Sequence, residues 1–79
     1  MDEQRLKKVL SNILDIDESE INDQSSMKTV TSWDSLRHIQ LIAAIEEEFQ
    51  ITFSIEDMTV MTNYPVISQK VSELMEKIS

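Results

Sequence analysis

Apolar residues recur at helical spacing in three segments of the chain. The first segment predicts an amphipathic helix of about 13 residues, capped by Asp2, because its apolar positions fall on one face. Those positions are Leu6, Val9, Leu10, Ile13 and Leu14. The second segment, 35–49, contains neither glycine nor proline and follows Asp34, a good N-cap, so it predicts a helix ending near Gln50. The third predicts a closing helix with Pro65 in its first turn. Its apolar positions are Ile67, Val71, Leu74, Met75 and Ile78.

Weaker signals occupy the remaining segments. Ser54, with Asp57 three residues later, is typical of a capping box and predicts a short helix over about 55–59. Residues 15–33 are polar with scattered apolar positions, which predicts a long ordered loop pinned to the core. The chain has no glycine and one proline, so no strong hairpin signal is present. The sequence therefore predicts one all-α domain over residues 1–79, a small bundle of three longer helices and one short helix with a long first loop.

Composition excludes several kinds of function. The chain has 79 residues, enough for one modest core. It has no cysteine, which rules out a disulfide framework, a thiolate zinc site and a cysteine nucleophile. Without glycine, neither a Walker loop nor a dinucleotide fingerprint can form. The sequence has no run of about 18 apolar residues and no signal-peptide pattern. We therefore expect a cytoplasmic protein that does not insert into a membrane.

The formal net charge of -8 is large for so small a protein. This charge disfavours nucleic acid and anionic membrane surfaces as partners. Basic protein partners would complement it, and an equally ordinary interpretation is that the acidity maintains solubility.

The second predicted helix has two apolar faces. One face holds Leu41, Ile42, Ile45 and Phe49, and the nearly opposite face holds Leu36, Ile39 and Ala43. Either the helix is buried all round, or the Leu36 face is a surface on which partners dock. The helix ends in Glu46, Glu47 and Glu48, which form either a solvated end or an anionic patch that steers basic partners.

A family resemblance comes from the serine at the start of this helix. Asp34-Ser35-Leu36, followed by Leu41-Ile42-Ala43 and by the run from Ile45 to Phe49, resembles the signature of acyl carrier proteins. The resemblance extends over essentially the whole chain. It implies a non-enzymatic carrier, monomeric, with 4'-phosphopantetheine from coenzyme A attached at Ser35. The thiol of that arm would hold acyl groups as thioesters, and Asp34 would help bind the Mg²⁺ that the loading enzyme supplies.

The same resemblance implies a set of partners and a surface for them. The partners would be a phosphopantetheinyl transferase (a holo-ACP synthase) and acyl-loading, synthase and acyltransferase enzymes with basic docking patches. The predicted partner surface comprises Leu36, Arg37, Ile39, Gln40, Ala43, Glu46 and Glu47. Fatty-acid carriers commonly have glycine where Ser32 stands here, and acids at the positions of Arg37 and Gln40. The changes at Arg37 and Gln40 disfavour service to the housekeeping fatty-acid enzymes, and Trp33 before Asp34 resembles discrete carriers of specialised pathways such as polyketide, cell-surface or amino-acid-loading systems. We therefore expect a discrete carrier in a specialised or fatty-acid/polyketide-type biosynthetic pathway.

Two related functions remain as alternatives. An aminoacyl or peptidyl carrier is disfavoured because that branch usually approaches its serine through glycine and histidine, whereas this chain has Trp33-Asp34. A helical interaction module would share the shape, but its serine would never be modified. The five methionines either line an adaptable acyl pocket or fill the core.

Two further sites are only weakly indicated by the sequence. Residues 15–19 have the opening spacing of an EF-hand calcium loop. However, Glu20 stands in place of the required glycine and Ser26 in place of the bidentate glutamate. Ser35 and His38 lie one helical turn apart, as a hydrolase pair could. A third catalytic residue and a substrate pocket are missing, so we expect His38 to be a satisfied core or edge residue.

Overall fold

The fold is an all-α bundle, as the hydrophobic pattern predicts. A computed structural model describes the backbone of residues 2–78 and the side chains of residues 2–76. Its helices are α1 (Glu3–Leu14), α2 (Ser35–Phe49), α3 (Ile55–Val60) and α4 (Tyr64–Ile78). The side chain of Ile78, which the sequence places on the apolar face of α4, lies outside the described side chains.

The helices begin at the predicted caps. Asp2 Oδ1 accepts the backbone N–H of Gln4 at 3.0 Å and begins α1. Ser54 and Asp57 form a reciprocal capping box at α3, with Ser54 Oγ accepting the Asp57 N–H at 3.1 Å. Each of these contacts satisfies N–H groups that have no partner within the helix, so the boundaries are fixed by local chemistry.

Two helices end without glycine. Asp15 after α1 and Gln50 after α2 both adopt the left-handed conformation, with φ of 56° and 57°. For a non-glycine residue, the left-handed conformation costs about 1–2 kcal/mol of conformational energy. This conformation lets the following residue satisfy a carbonyl group near the end of each helix: the N–H of Ile16 donates to the carbonyl of Ser11, and the N–H of Ile51 donates to that of Glu46.

The connection between α1 and α2 is ordered and fastened to the core, as predicted. It contains a single 3₁₀ turn over Glu18–Glu20, which the sequence pattern did not reveal. Ser25 is buried, and its carbonyl accepts the N–H of Tyr64 at 2.9 Å. The N–H of Met27 likewise donates to the carbonyl of Thr62 at 3.0 Å. These two bonds join the middle of the loop to the start of α4.

The core is shared by the long helices and the loop. Its buried side chains are Leu6, Leu10, Leu14, Ile21, Trp33, Leu41, Ile42, Ile45, Phe49, Ile51, Phe53, Met61, Tyr64, Ile67 and Val71. Of the methionines whose side chains are described, Met61 is fully buried and Met27, Met58 and Met75 pack against the core. These four therefore act as core residues.

Helix α3 is held to α4 by an ion pair. Lys70 Nζ lies 3.0 Å from Asp57 Oδ1. The hydrogen bond from Lys70 lowers the pKa of the Asp57 carboxyl, and the same bond raises the pKa of Lys70.

Candidate functional site

Ser35 is the first residue of α2, and its side chain is exposed. Asp34 caps the helix, with its Oδ1 accepting the N–H of Arg37 at 2.8 Å. Within the described chain, the N–H groups of Ser35 and Leu36 have no protein acceptor, as expected for a first helical turn. The serine hydroxyl therefore lies beside unsatisfied donors at the positive end of a 15-residue helix, which favours an attached anion.

The segment before Ser35 is anchored in the fold. Trp33 is only 2% exposed and belongs to the core. Ser32 Oγ donates to the carbonyl of Leu14, at the end of α1, over 2.6 Å. An exposed serine is thus presented directly after a firmly held stretch of backbone.

His38 does not act as a base toward Ser35. Its Nδ1 accepts the indole N–H of Trp33 at 3.1 Å, and its Nε2 lies 2.9 Å from the carbonyl oxygen of Met58. Because both ring nitrogens are engaged, the prediction of a satisfied histidine is confirmed. The Ser-His hydrolase arrangement is not formed.

The two apolar faces of α2 have opposite environments. Leu41, Ile42, Ile45 and Phe49 are buried. On the other side Leu36 is 65% and Ile39 is 67% exposed, and Gln40 and Ala43 are also exposed. The interpretation that α2 is buried all round is therefore wrong. That the exposed face docks partners stays a prediction.

Two exposed apolar residues on α3 were not predicted from the sequence. Ile55 is 76% and Val60 is 54% exposed. The signal available in the sequence was weak, because a six-residue helix is too short for a clear hydrophobic periodicity.

Arg37 is used within the fold. It is half-buried, and its guanidinium donates a hydrogen bond to the carbonyl of Ile13, near the end of α1. A cation at this position also complements the negative end of the α1 dipole. The charge of Arg37 is therefore directed at α1, a role that the sequence did not indicate.

The three glutamates at the end of α2 have different environments. Glu46 is half-buried, and its Oε2 accepts the N–H of Phe53 at 2.7 Å. Glu48 pairs with Arg5 at 3.0 Å, and the Arg5 guanidinium also lies 4.9 Å from the ring centre of Phe49. Among the described residues, the carboxylate of Glu47 has no such partner and is exposed. The acidic run is therefore partly structural.

Two further properties concern the described part of the chain. No helix there is long and apolar enough to cross a membrane. Nor is any group of three or more His, Cys, Asp and Glu side chains placed to hold a metal ion. The EF-hand-like spacing after α1 is interrupted by the left-handed Asp15 and the 3₁₀ turn that follows it.

Comparison with known proteins assigns the family. The sequence model of the family described as "Phosphopantetheine attachment site" matches residues 4–74. With the acyl carrier proteins described below, this match shows that the chain belongs to the acyl carrier protein family. As a member of this family it is a carrier, not an enzyme, and it takes a covalently attached 4'-phosphopantetheine.

Curated relatives and a solved structure agree with this assignment. "Polyketide-8 synthase acyl carrier protein 1" of Streptomyces avermitilis is 34% identical over 70 residues, covering 89% of this chain and 83% of the relative. An acyl carrier protein of Buchnera aphidicola subsp. Schizaphis graminum is 46% identical over 55 residues, covering 70% of each. The NMR structure of a holo acyl carrier protein from Geobacter metallireducens superposes with a TM-score of 0.84 at 22% identity, covering 94% of this chain and 85% of the other. The last likeness establishes the fold.

Proposed function

We propose that Ser35 is the residue that carries the phosphopantetheine arm, and that acyl intermediates travel as thioesters on the thiol of that arm. The observation that carries this proposal is the exposure of Ser35 at the first position of α2. A phosphodiester on its hydroxyl would lie beside N–H groups without protein acceptors and near the positive helix end. The chain has no cysteine, so the thiol must come from the arm.

Asp34 fits a supporting role in loading. One of its carboxylate oxygens caps α2, and the other accepts no hydrogen bond from the described residues. That second oxygen is suited to the Mg²⁺ brought by the transferase, since carboxylate oxygens are preferred Mg²⁺ ligands. Ser35 needs no base of its own on this assignment, which agrees with the engagement of His38 elsewhere.

We assign partner docking to the exposed face of α2 around Leu36 and Ile39. Their exposed apolar surface adjoins Ser35, and such patches often mark interaction sites. Gln40 and Ala43 extend this face, and the exposed carboxylate of Glu47 adds an anionic site for basic patches. Partners would be the transferase and the acyl-loading, synthase and acyltransferase enzymes, which a monomeric carrier meets in turn.

A discrete carrier of a specialised pathway is supported by charge and by similarity. The guanidinium of Arg37 bonds to α1, and Gln40 is neutral. The chain therefore lacks the two acidic side chains that are common at these positions in fatty-acid carriers. One relative bears a polyketide synthase name, which favours polyketide-type chemistry for the cargo.

Loading with coenzyme A tests the attachment site. With coenzyme A, Mg²⁺ and a promiscuous phosphopantetheinyl transferase, intact mass should increase by one phosphopantetheinyl group. Ser35→Ala should abolish the gain and remain folded, because Asp34 supplies the cap of α2. Ser54→Ala is the matched control: it removes another exposed serine at a helix start, at a cost of about 1 kcal/mol, and should still load. A Ser35→Ala protein that gains the mass would show that the attachment residue is wrong.

A further inference from the structure

A polar bridge runs beside the first turn of α2. The ring of His38 accepts from the Trp33 indole at 3.1 Å through Nδ1 and contacts the Met58 carbonyl at 2.9 Å through Nε2. An indole N–H only donates and a carbonyl only accepts, so both contacts are hydrogen bonds only when the proton is on Nε2. These two partners therefore select the His38 tautomer that carries its proton on Nε2.

This bridge connects the two sides of Ser35. Trp33 lies two residues before the serine and is anchored in the core, and His38 lies three residues after it. Their hydrogen bond joins the two ends of the segment 33–38, and the side chain of Ser35, which lies between them, is exposed. The backbone of the serine is thus held from both directions.

The other end of the bridge holds α3. Met58 lies in the last turn of this helix, where carbonyl groups have no partner within the helix. A helix of six residues is not stable by itself and depends on tertiary contacts for its position. Met58 packs its side chain against the core, and two polar contacts fix the helix on either side: the Asp57–Lys70 ion pair toward α4 and the hydrogen bond from His38 toward α2.

We propose that His38 is a positioning residue that fixes α3 relative to Ser35, so that the phosphopantetheinyl transferase meets the start of α2 and the exposed side of α3 as one preformed surface. The inference rests on the proposed attachment at Ser35. Exposed Ile55 and Val60 on α3 are the apolar groups that this arrangement would hold in place. A preformed surface lowers the ordering cost of association, so its loss should weaken binding of the carrier more than it slows the chemical step.

The test uses three variants of the whole protein. His38→Leu removes both hydrogen bonds and places an apolar side chain of similar size at this position. His38→Gln keeps one acceptor and one donor and should restore them. Val71→Ala, in the α4 part of the core, is the control for lost stability without lost positioning. Each variant is measured by amide hydrogen exchange over residues 55–60 and by the KM and kcat of phosphopantetheine loading.

His38→Leu should speed exchange in α3 and raise the KM for the carrier by about three- to ten-fold, the factor expected from one hydrogen bond of ordinary strength. Its kcat should stay near the wild-type value, and His38→Gln should recover most of the KM. Val71→Ala should leave KM unchanged. Unchanged α3 exchange in His38→Leu, or an equal KM rise in Val71→Ala, would overturn the inference. If the wild-type protein is never loaded, the attachment proposal is overturned. If His38→Leu is loaded with the same KM as the wild type, only the role of His38 is overturned.

Discussion

Ile39 and Ile45 form a matched pair for testing the division of α2 into a core face and a partner face. Both residues are isoleucines within the same helix, so truncation to alanine removes the same atoms and changes helix propensity equally. Ile45 is fully buried, whereas Ile39 is 67% exposed. The difference between the two variants therefore reports burial alone.

The expected magnitudes follow from that exposure. Ile45→Ala should cost about 2–5 kcal/mol, the range for a buried isoleucine that leaves a cavity. About a third of the surface of Ile39 is buried. Burying a whole side chain of this kind contributes about 1.5–3 kcal/mol, so the buried part of Ile39 contributes at most about 0.5–1 kcal/mol. Because alanine also has the higher helix propensity, Ile39→Ala should cost no more than about 0.5 kcal/mol.

Denaturant melts followed by far-UV circular dichroism measure both values, and loading kinetics measure function in the same samples. Ile45→Ala should remove much of a total stability that in small domains is only about 5 kcal/mol. Ile39→Ala should melt almost as the wild type does but be loaded or acylated more slowly. If Ile39→Ala proved as destabilising as Ile45→Ala, the exposed face would be a structural surface and the docking assignment would be refuted.

Three further predictions concern charge. Burial, reinforced by Glu3, raises the pKa of Tyr64 from 10.0 to about 12. The contribution of Tyr64 to the free energy of unfolding should therefore be fully present below pH 10 and decrease as the pH rises toward 12, and Tyr64→Phe should reduce this decrease in pH-dependent melts. Gln40→Glu should raise turnover with fatty-acid synthase enzymes if charge selects partners, whereas Arg37→Asp should mainly lower the melting temperature; unchanged turnover for Gln40→Glu would locate selectivity elsewhere. Glu46→Ala should destabilise the fold by about 1–3 kcal/mol because it leaves the N–H of Phe53 without its acceptor, while Glu47→Ala should leave the melt unchanged and reduce the salt dependence of partner binding; equal melts would contradict the distinction.

The helix boundaries were predictable because they depend on local chemistry. Asp34 and Ser54 cap helices through atoms within three residues in the sequence, and an apolar period reveals which face is buried. The candidate serine was predictable for the same reason, since it directly follows a recognisable cap. Its exposure agrees with a position at the start of the helix.

The contacts around the site were not predictable from the sequence. Arg37 reaches a carbonyl 24 residues away, and His38 bonds to one 20 residues away. Such partners depend on how the helices pack, which no local pattern specifies. The same applies to Glu46, whose place in an acidic run favoured a solvated or partner-facing role over its hydrogen bond to Phe53.

The backbone around Ser35 is firmly held, whereas the proposed phosphopantetheine arm is flexible. Ser32 and Arg37 both bond to carbonyl groups at the end of α1, and His38 bonds to Trp33 and to Met58 of α3. The backbone at residue 35 is therefore held on both sides and has little freedom. On the proposed assignment, movement between enzymes would come from the flexible arm, while each enzyme would recognise an unchanging protein surface. A rigid attachment point costs little ordering entropy at each encounter, and a carrier that must meet several enzymes in turn would benefit at every step. The same reasoning explains why anchoring residues lie next to an exposed serine: they restrict its backbone without covering its hydroxyl.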